Sequence, residues 1–271
     1  MTTTTASTSA STSTSVSTST STRIALITGG SRGLGRNAAV HLARRGIDSI
    51  VTYRSQQAEA QAVIDEIRQL GGRAAALPLD VGDSGSFPAF AQALKQTLQQ
   101  HWQRERFDHL VNNAGMGVHA PLADTTEAQF DELMRVHLKG PFFLTQALLP
   151  LMNDGGSVLN VSSGLARFAM PGYGAYATMK GGVEVMTRYM AKEFGARGIR
   201  VNTLAPGAIE TDFGGGTVRD NAQVNALVAS VTALGRVGLP DDIGPVVASL
   251  LSDDNRWVNA QRVEASGGMF V

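Results

Sequence analysis

Seven short runs along this chain are strand-sized, and most are apolar at consecutive positions rather than at alternate ones. They read "RIALIT" (23–28), "SIVTYR" (49–54), "AAALPLDV" (74–81), "DHLVNNAG" (108–115), "SVLNVSS" (157–163), "IRVNTLAPG" (199–207) and "QRVEASGG" (261–268). A strand that is apolar on both sides has to be buried on both sides, as in a parallel sheet covered by helices. Amphipathic helical patterns lie between the runs. One extends from about Leu34 to Arg45 and is stopped by Gly46; another runs through "AEAQAVIDEIRQL" and is stopped by Gly71. Parallel strands need crossover connections, so this alternation predicts an α/β fold: a doubly wound, seven-stranded parallel sheet with helices on both faces.

The rest of the composition narrows the function. All but four of the first 22 residues are Ser or Thr. Such a tract has almost nothing to bury, so residues 1–22 are expected to be a disordered tail. It is hydroxyl-rich, as transit peptides are, but holds no Arg before Arg23, so a solvated tail is the preferred reading. Residues 23–271 suffice for one α/β domain with a sizeable core. Lys plus Arg and Asp plus Glu number 23 each, with no basic block, which argues against nucleic acid or an anionic membrane as partner. No apolar run approaches the roughly 20 residues that span a bilayer. The chain has no cysteine, which fits a reducing, cytoplasmic setting and removes thiol nucleophiles and zinc–thiolate sites. Its five histidines are scattered without HExxH or paired spacing, so no metal site is expected.

"TGGSRGLG" (28–35) joins the first strand to the first helix, with Gly29, Gly33 and Gly35 at G-x-x-x-G-x-G spacing. Glycines here let the backbone turn sharply and approach a pyrophosphate, whose charge the helix N-terminus favours. This is the Rossmann-type arrangement for a dinucleotide, with Ser31, Arg32 and Leu34 in the same turn. NAD-preferring sites place an acid on the ribose 2′-hydroxyl roughly 20 residues on. Here the second strand ends Thr52-Tyr53-Arg54-Ser55, and the first carboxylate, Glu59, falls inside the following helix. Arg54 and Arg32 would pair with a 2′-phosphate, so NADP(H) is expected over NAD(H).

"YATMK" sets Tyr176 and Lys180 four apart on a helical pattern, hence on one face. A free phenol has a pKa near 10, and a nearby ammonium favours its anion. Tyr176 would give a proton to a carbonyl, or take one from an alcohol, as hydride moves to or from nicotinamide. Tyr173 has Ala177, not Lys, four residues on.

At this point the chain resembles the short-chain dehydrogenase/reductase family, and the 3-oxoacyl-carrier-protein reductases within it. The resemblance runs from Arg23 to the C-terminus. It rests on "TGGSRGLG", "LDV" (79–81), "NNAG" (112–115), "NVSS" (160–163), "YATMK" and "APGAIET" (205–211), in the family's order and spacing. It implies that Ser163, thirteen residues before Tyr176, is the catalytic serine, ahead of its neighbour Ser162. It further implies that Lys180 binds the nicotinamide ribose, that Asp80 and Val81 contact adenine, and that Asn113 lies along the cofactor. Asn112 would brace the central strand, Ile209 and Thr211 would lie near the carboxamide, and 207–238 would be a substrate lid; its glycines, Gly214 to Gly216, read either as a hinge or as a mobile loop. The family's members are commonly tetramers or dimers, so a homo-oligomer is expected. Possible pocket residues are Met116, His119, Phe168, Met170 and Phe213. They do not fix the small-molecule substrate, because one fold hosts many chemistries. The expected activity is an NADPH-dependent interconversion of a carbonyl and a secondary alcohol. The alternative is a nucleotide-binding regulator that has kept the fold and lost turnover.

Two positions depart from the family pattern. Ser266 precedes Gly267 where an Asp is common. His137, in "RVHLKG", stands where the family has an asparagine that supports a local distortion of its helix and a proton relay to the lysine. His137 therefore reads as a structural stand-in, as an added titrating group, or as a defect in proton supply. Thr126 and Gln129 form a capping-box pattern that fixes the register of this helix.

Overall fold

The computed structural model describes Met1 and residues 22–271; between these the expected disordered tail lies outside the described residues. Seven strands form one sheet: β1 (Ile24–Ile27), β2 (Asp48–Tyr53), β3 (Ala74–Pro78), β4 (Phe107–Asn112), β5 (Met152–Val161), β6 (Arg200–Pro206) and β7 (Arg262–Ala265). All pair in parallel, in the order β3-β2-β1-β4-β5-β6-β7. The order reverses between β1 and β4, and a ligand crevice opens at such a switch point beyond the strands' carboxyl ends.

The helices are α1 (Gly33–Arg44), α2 (Gln57–Gln69), α3 (Phe87–Trp102), α4 (Glu127–Met134), α5 (Gly140–Leu148), α6 (Gly174–Phe194), α7 (Thr217–Asp220), α8 (Ala222–Ser230) and α9 (Pro240–Leu251). Side chains of a strand point alternately to its two faces, and β1 shows what this requires. Ile24 and Leu26 pack with α3, α5 and α6, whereas Ala25 and Ile27 pack with α1, α2 and α9. Consecutive apolar residues in the sequence thus feed two separate cores.

Several expected strands stop early. The third ends at Pro78 rather than 81, and the fourth at Asn112 rather than 115. The residues beyond them, "LDV" and "NAG", are site loops whose apolar content comes from lining a cleft. The fifth begins at Met152, with a shift of register against β4 after Phe107. Segment 207–238 contains α7 and α8. Asn221 caps α8 by accepting hydrogen bonds from Gln223 and Val224 backbone N–H groups, which offsets weak helix formers.

Several polar side chains inside the sheet pair with one another. Asn112 donates to Asn160 (2.8 Å) and Thr145 (3.1 Å), Asn160 to Thr187 (2.9 Å), and Thr203 to Thr187 (2.8 Å), a ladder from β4 through β5 and α6 to β6. At the other end of the sheet, Asp48 is buried and accepts from Arg73 N (2.8 Å), Arg73 Nε (3.1 Å) and Trp102 Nε1 (2.7 Å). Asp48→Ala strands the indole donor. Urea unfolding is expected to show a loss of about 2–4 kcal/mol, against at most about 1 kcal/mol for Arg73→Ala, whose side chain is half in water.

Candidate active site

A cleft of about 690 Å³ runs along the carboxyl ends of the strands. At one end lies the glycine turn between β1 and α1. Gly29 has φ +63°, and a Cβ there would lie 2.9 Å from Ala114 Cα; a Cβ on Gly35 would collide with the Gly29 carbonyl. Gly29 therefore allows the turn and the approach of the 112–115 loop. Gly35 allows α1 to sit close beneath, and it does not line the cleft. Ser31, Arg32, Gly33 and Leu34 do line it, as do Arg54, Asp80, Val81, Asn113, Ile209 and Thr211. The Asn113 amide donates to the Thr28 and Gly29 carbonyls (2.9 and 3.2 Å), so this side chain braces the turn itself. Asp80 accepts from Gly82 N (2.8 Å), which orders the loop after β3. Arg32 lies 3.9 Å from Asp212, with both side chains about half exposed, so its guanidinium remains available to an anion. A glycine turn opening a helix, with two guanidinium groups beside it, fits the pyrophosphate and 2′-phosphate of a dinucleotide.

At mid-cleft, Ser163, Tyr176 and Lys180 line the same cavity. Ser163 follows β5 and caps the short turn 164–166, with its hydroxyl accepting from Leu165 N (3.2 Å). Its neighbour Ser162 is buried and donates to Glu184 (2.8 Å), with the Lys180 carbonyl 3.3 Å away, so it is engaged elsewhere. Tyr176 and Lys180 both lie on α6, with Lys180 Nζ 5.6 Å from the centre of the phenol ring. Lys180 donates to the Val161 carbonyl (2.7 Å). Burial pushes its pKa down to about 7. The phenol departs from the expectation. Burial raises the Tyr176 pKa well above its ordinary value, and the Ser163 side chain only partly opposes this. Desolvation of the buried pocket thus opposes the phenolate that a nearby ammonium favours. A phenol that holds its proton is suited to donate it.

His137 lies in a single π turn, Arg135–Lys139, inserted between α4 and α5, so the local helix distortion implied by the resemblance is present. The capping box of Thr126 and Gln129 opens α4 as expected. The imidazole is buried, its Nε2 lies 2.7 Å from the Met116 carbonyl, and its ring stands edge-on to Tyr176 at 5.1 Å. The Met116 N–H also lies 3.2 Å from Nε2, and the shorter contact, to the carbonyl, is satisfied when Nε2 carries the proton. Burial, then the charge of Lys180, pushes its pKa down to about 3, so it is neutral at physiological pH. A titrating role near neutrality, one of its three readings, does not fit this position.

The far end of the cleft is apolar. Met116, Phe168, Met170 and Phe213 line it as expected, joined by Tyr173, Val224, Val228 and Met269. His119 is not among the lining residues; it packs edge-on against Tyr173 at 5.0 Å. Sequence reasoning missed Met269, and it missed the ion-pair chain behind the serine turn, in which Arg262 joins Glu184 to Glu264 (2.7 Å each). The spacing of Arg262 and Glu264, two apart on a strand and hence on one face, was the available signal.

Two outcomes follow for pH. Between about pH 7 and 10.5 the unfolded chain binds the Lys180 proton that the folded chain has released, so stability rises with pH in that window. Lys180→Met is expected to remove this rise in denaturation curves. His137→Asn should leave the pH–rate profile between about pH 5.5 and 8 unchanged, since a neutral imidazole does not titrate there.

Comparison with known proteins agrees with this geometry. The family model described as enoyl-(acyl carrier protein) reductase matches residues 29–270. A hydroxynaphthalene reductase-like protein, Arp2, of Metarhizium majus is 34% identical over 91% of this chain and 94% of its own length. Among solved structures, the reductase LugOII, described as promiscuous and as catalysing keto-reduction at C1 in lugdunomycin biosynthesis, has a TM-score of 0.88 and 38% identity, covering 93% of this chain and 100% of that one. The angucycline C-6 ketoreductase LanV with bound NADP has a TM-score of 0.87 and 34% identity, covering 92% and 95%; it has also been solved with rabelomycin. The chain belongs to the short-chain dehydrogenase/reductase family of oxidoreductases.

Proposed function

We propose that the chain is an NADPH-dependent ketoreductase that converts a ketone on a fused-ring aromatic substrate to the secondary alcohol. One observation carries this reading: Ser163 and Tyr176 lie between an arginine-flanked glycine turn and an apolar wall of Met116, Phe168, Met170 and Phe213. The substrate class is supported by the wall and by the relatives, LanV being a ketoreductase solved with rabelomycin and Arp2 a hydroxynaphthalene reductase-like protein. Flat aromatic rings bury well against Phe and Met side chains.

In this reading Arg32 and Arg54 hold the 2′-phosphate, Asp80 and Val81 the adenine, and Ile209 and Thr211 the carboxamide. NADPH, when bound, supplies the hydride. The Ser163 hydroxyl donates to the substrate carbonyl oxygen and orients it. Tyr176, protonated at neutral pH, gives its proton to that oxygen as the alcohol forms. Lys180, anchored on Val161, holds the ribose and is close enough to neutrality to pass a proton on. His137 pins the 115–116 backbone and the edge of the Tyr176 ring. Segment 207–238 closes over the substrate and excludes water.

The test follows NADPH and NADH oxidation with 2-tetralone and rabelomycin. NADPH is expected to be preferred, and Tyr176→Phe to lower kcat by about 10²–10⁴ with NADPH affinity retained. Turnover that survives Tyr176→Phe would sink the mechanism, and NADPH binding with no ketone reduced would favour the regulator. Arg54→Glu should raise KM for NADPH by about 10- to 100-fold and leave KM for NADH nearly unchanged.

A further inference from the structure

The last residues of the chain form part of the cleft. Met269 is 3% exposed and faces the cavity beside Phe168, Met170 and Val228. Here the strap 266–270 is tied on two sides.

On one side it is stitched to the end of the lid. Leu234 N donates to Gly267 O (3.0 Å), Ala233 N to Gly268 O (3.1 Å) and Phe270 N to Val231 O (2.9 Å). Gly267 and Gly268 have φ +64° and +77°, and a Cβ on Gly268 would lie 2.8 Å from the Ala233 side chain. The Gly-Gly pair is what lets the strap lie this close. On the other side stands Arg167, four residues after Ser163. Its guanidinium grips both Glu264 oxygens (2.8 Å each) and donates to Met269 O (2.8 Å) and Phe270 O (3.2 Å). Its Cζ lies 5.4 Å from the Phe168 ring centre, and Phe168 packs on Phe270 at 4.8 Å. Ser266, the departure from the family's Asp, donates to Glu264 (2.6 Å) and accepts from Met269 N (3.3 Å). An exposed ion pair alone is worth little. This guanidinium, however, uses a forked carboxylate and two carbonyls together, so three segments meet on one side chain.

We propose that Arg167 is a positioning residue that latches the C-terminal strap to the serine turn, and that Met269, held in the wall by this latch, sets how large a ring system the cleft admits. The latch is a property of the fold; the size rule rests on the ketoreductase reading above.

The test separates the two. Amide hydrogen exchange of the full chain is compared with that of Arg167→Ala and Arg167→Lys. In Arg167→Ala, exchange at Ala233, Leu234 and Phe270 should rise about tenfold or more with Ile27 and Val111 unchanged, and Arg167→Lys should fall between. Equal exchange in all three proteins overturns the latch. For Met269, calorimetric binding and turnover of cyclohexanone, 2-tetralone and rabelomycin are measured on the NADPH-supplied protein. Met269→Trp should weaken rabelomycin binding and lower its kcat/KM about tenfold or more, with cyclohexanone and 2-tetralone within about twofold. Losses that are equal for all three probes, or absent for all, overturn the size rule while the parent's turnover of 2-tetralone still upholds the ketoreductase reading. A parent chain that neither binds nor reduces any of the probes overturns that reading and the size rule together, and leaves the latch to the exchange measurement.

Discussion

The site depends on a reciprocal clamp between α6 and the end of β5. Lys180 Nζ donates to the Val161 carbonyl (2.7 Å), and the Ser162 hydroxyl donates back to Glu184 (2.8 Å), one turn further along the same helix. The helix is thereby registered against the strand at the level where Ser163 leaves the sheet. Tyr176, one turn earlier on the same face of α6, is thereby brought opposite Ser163, and the edge of the His137 ring (5.1 Å) packs against it there. The cost of this arrangement is an ammonium taken out of water. It is met by placing the group where its charge is easily lost, which is also what makes it useful beside a proton donor.

The rest of the interior supports that clamp. The ladder Asn112–Asn160–Thr187–Thr203 crosses the sheet one step behind the site and ties β4, β5, α6 and β6 into one unit. Arg262 adds a second layer by linking Glu184, on α6 below Lys180, to Glu264 on β7. Paired polar groups of this kind specify one packing arrangement, because each partner left alone in the interior is costly.

Much of this was legible in the residues. The two-faced apolar runs announced a covered parallel sheet, the four-residue spacing of Tyr176 and Lys180 put them on one helix face, and Ser163 came from the family resemblance. Gly46 and Gly71 end their helices as read. What stayed hidden depends on tertiary contact. Strand ends were overrun because "LDV" and "NAG" are apolar as cleft lining rather than as strand. His119 was drawn into the pocket by its neighbours in sequence, but its ring turned toward Tyr173. Met269 was invisible because its role needs the chain's last turn to fold back on residues 231–234. The raised acidity threshold of Tyr176 was missed because spacing reports proximity to Lys180 and says nothing of desolvation.

The imidazole of His137 occupies room that exists because residue 115 has no side chain: a Cβ on Gly115 would stand 2.7 Å from the ring's Cε1. The two positions are therefore not free to vary independently. With the imidazole seated, alanine at 115 requires the ring or the 115 backbone to move, whereas a smaller side chain at 137 leaves that room free.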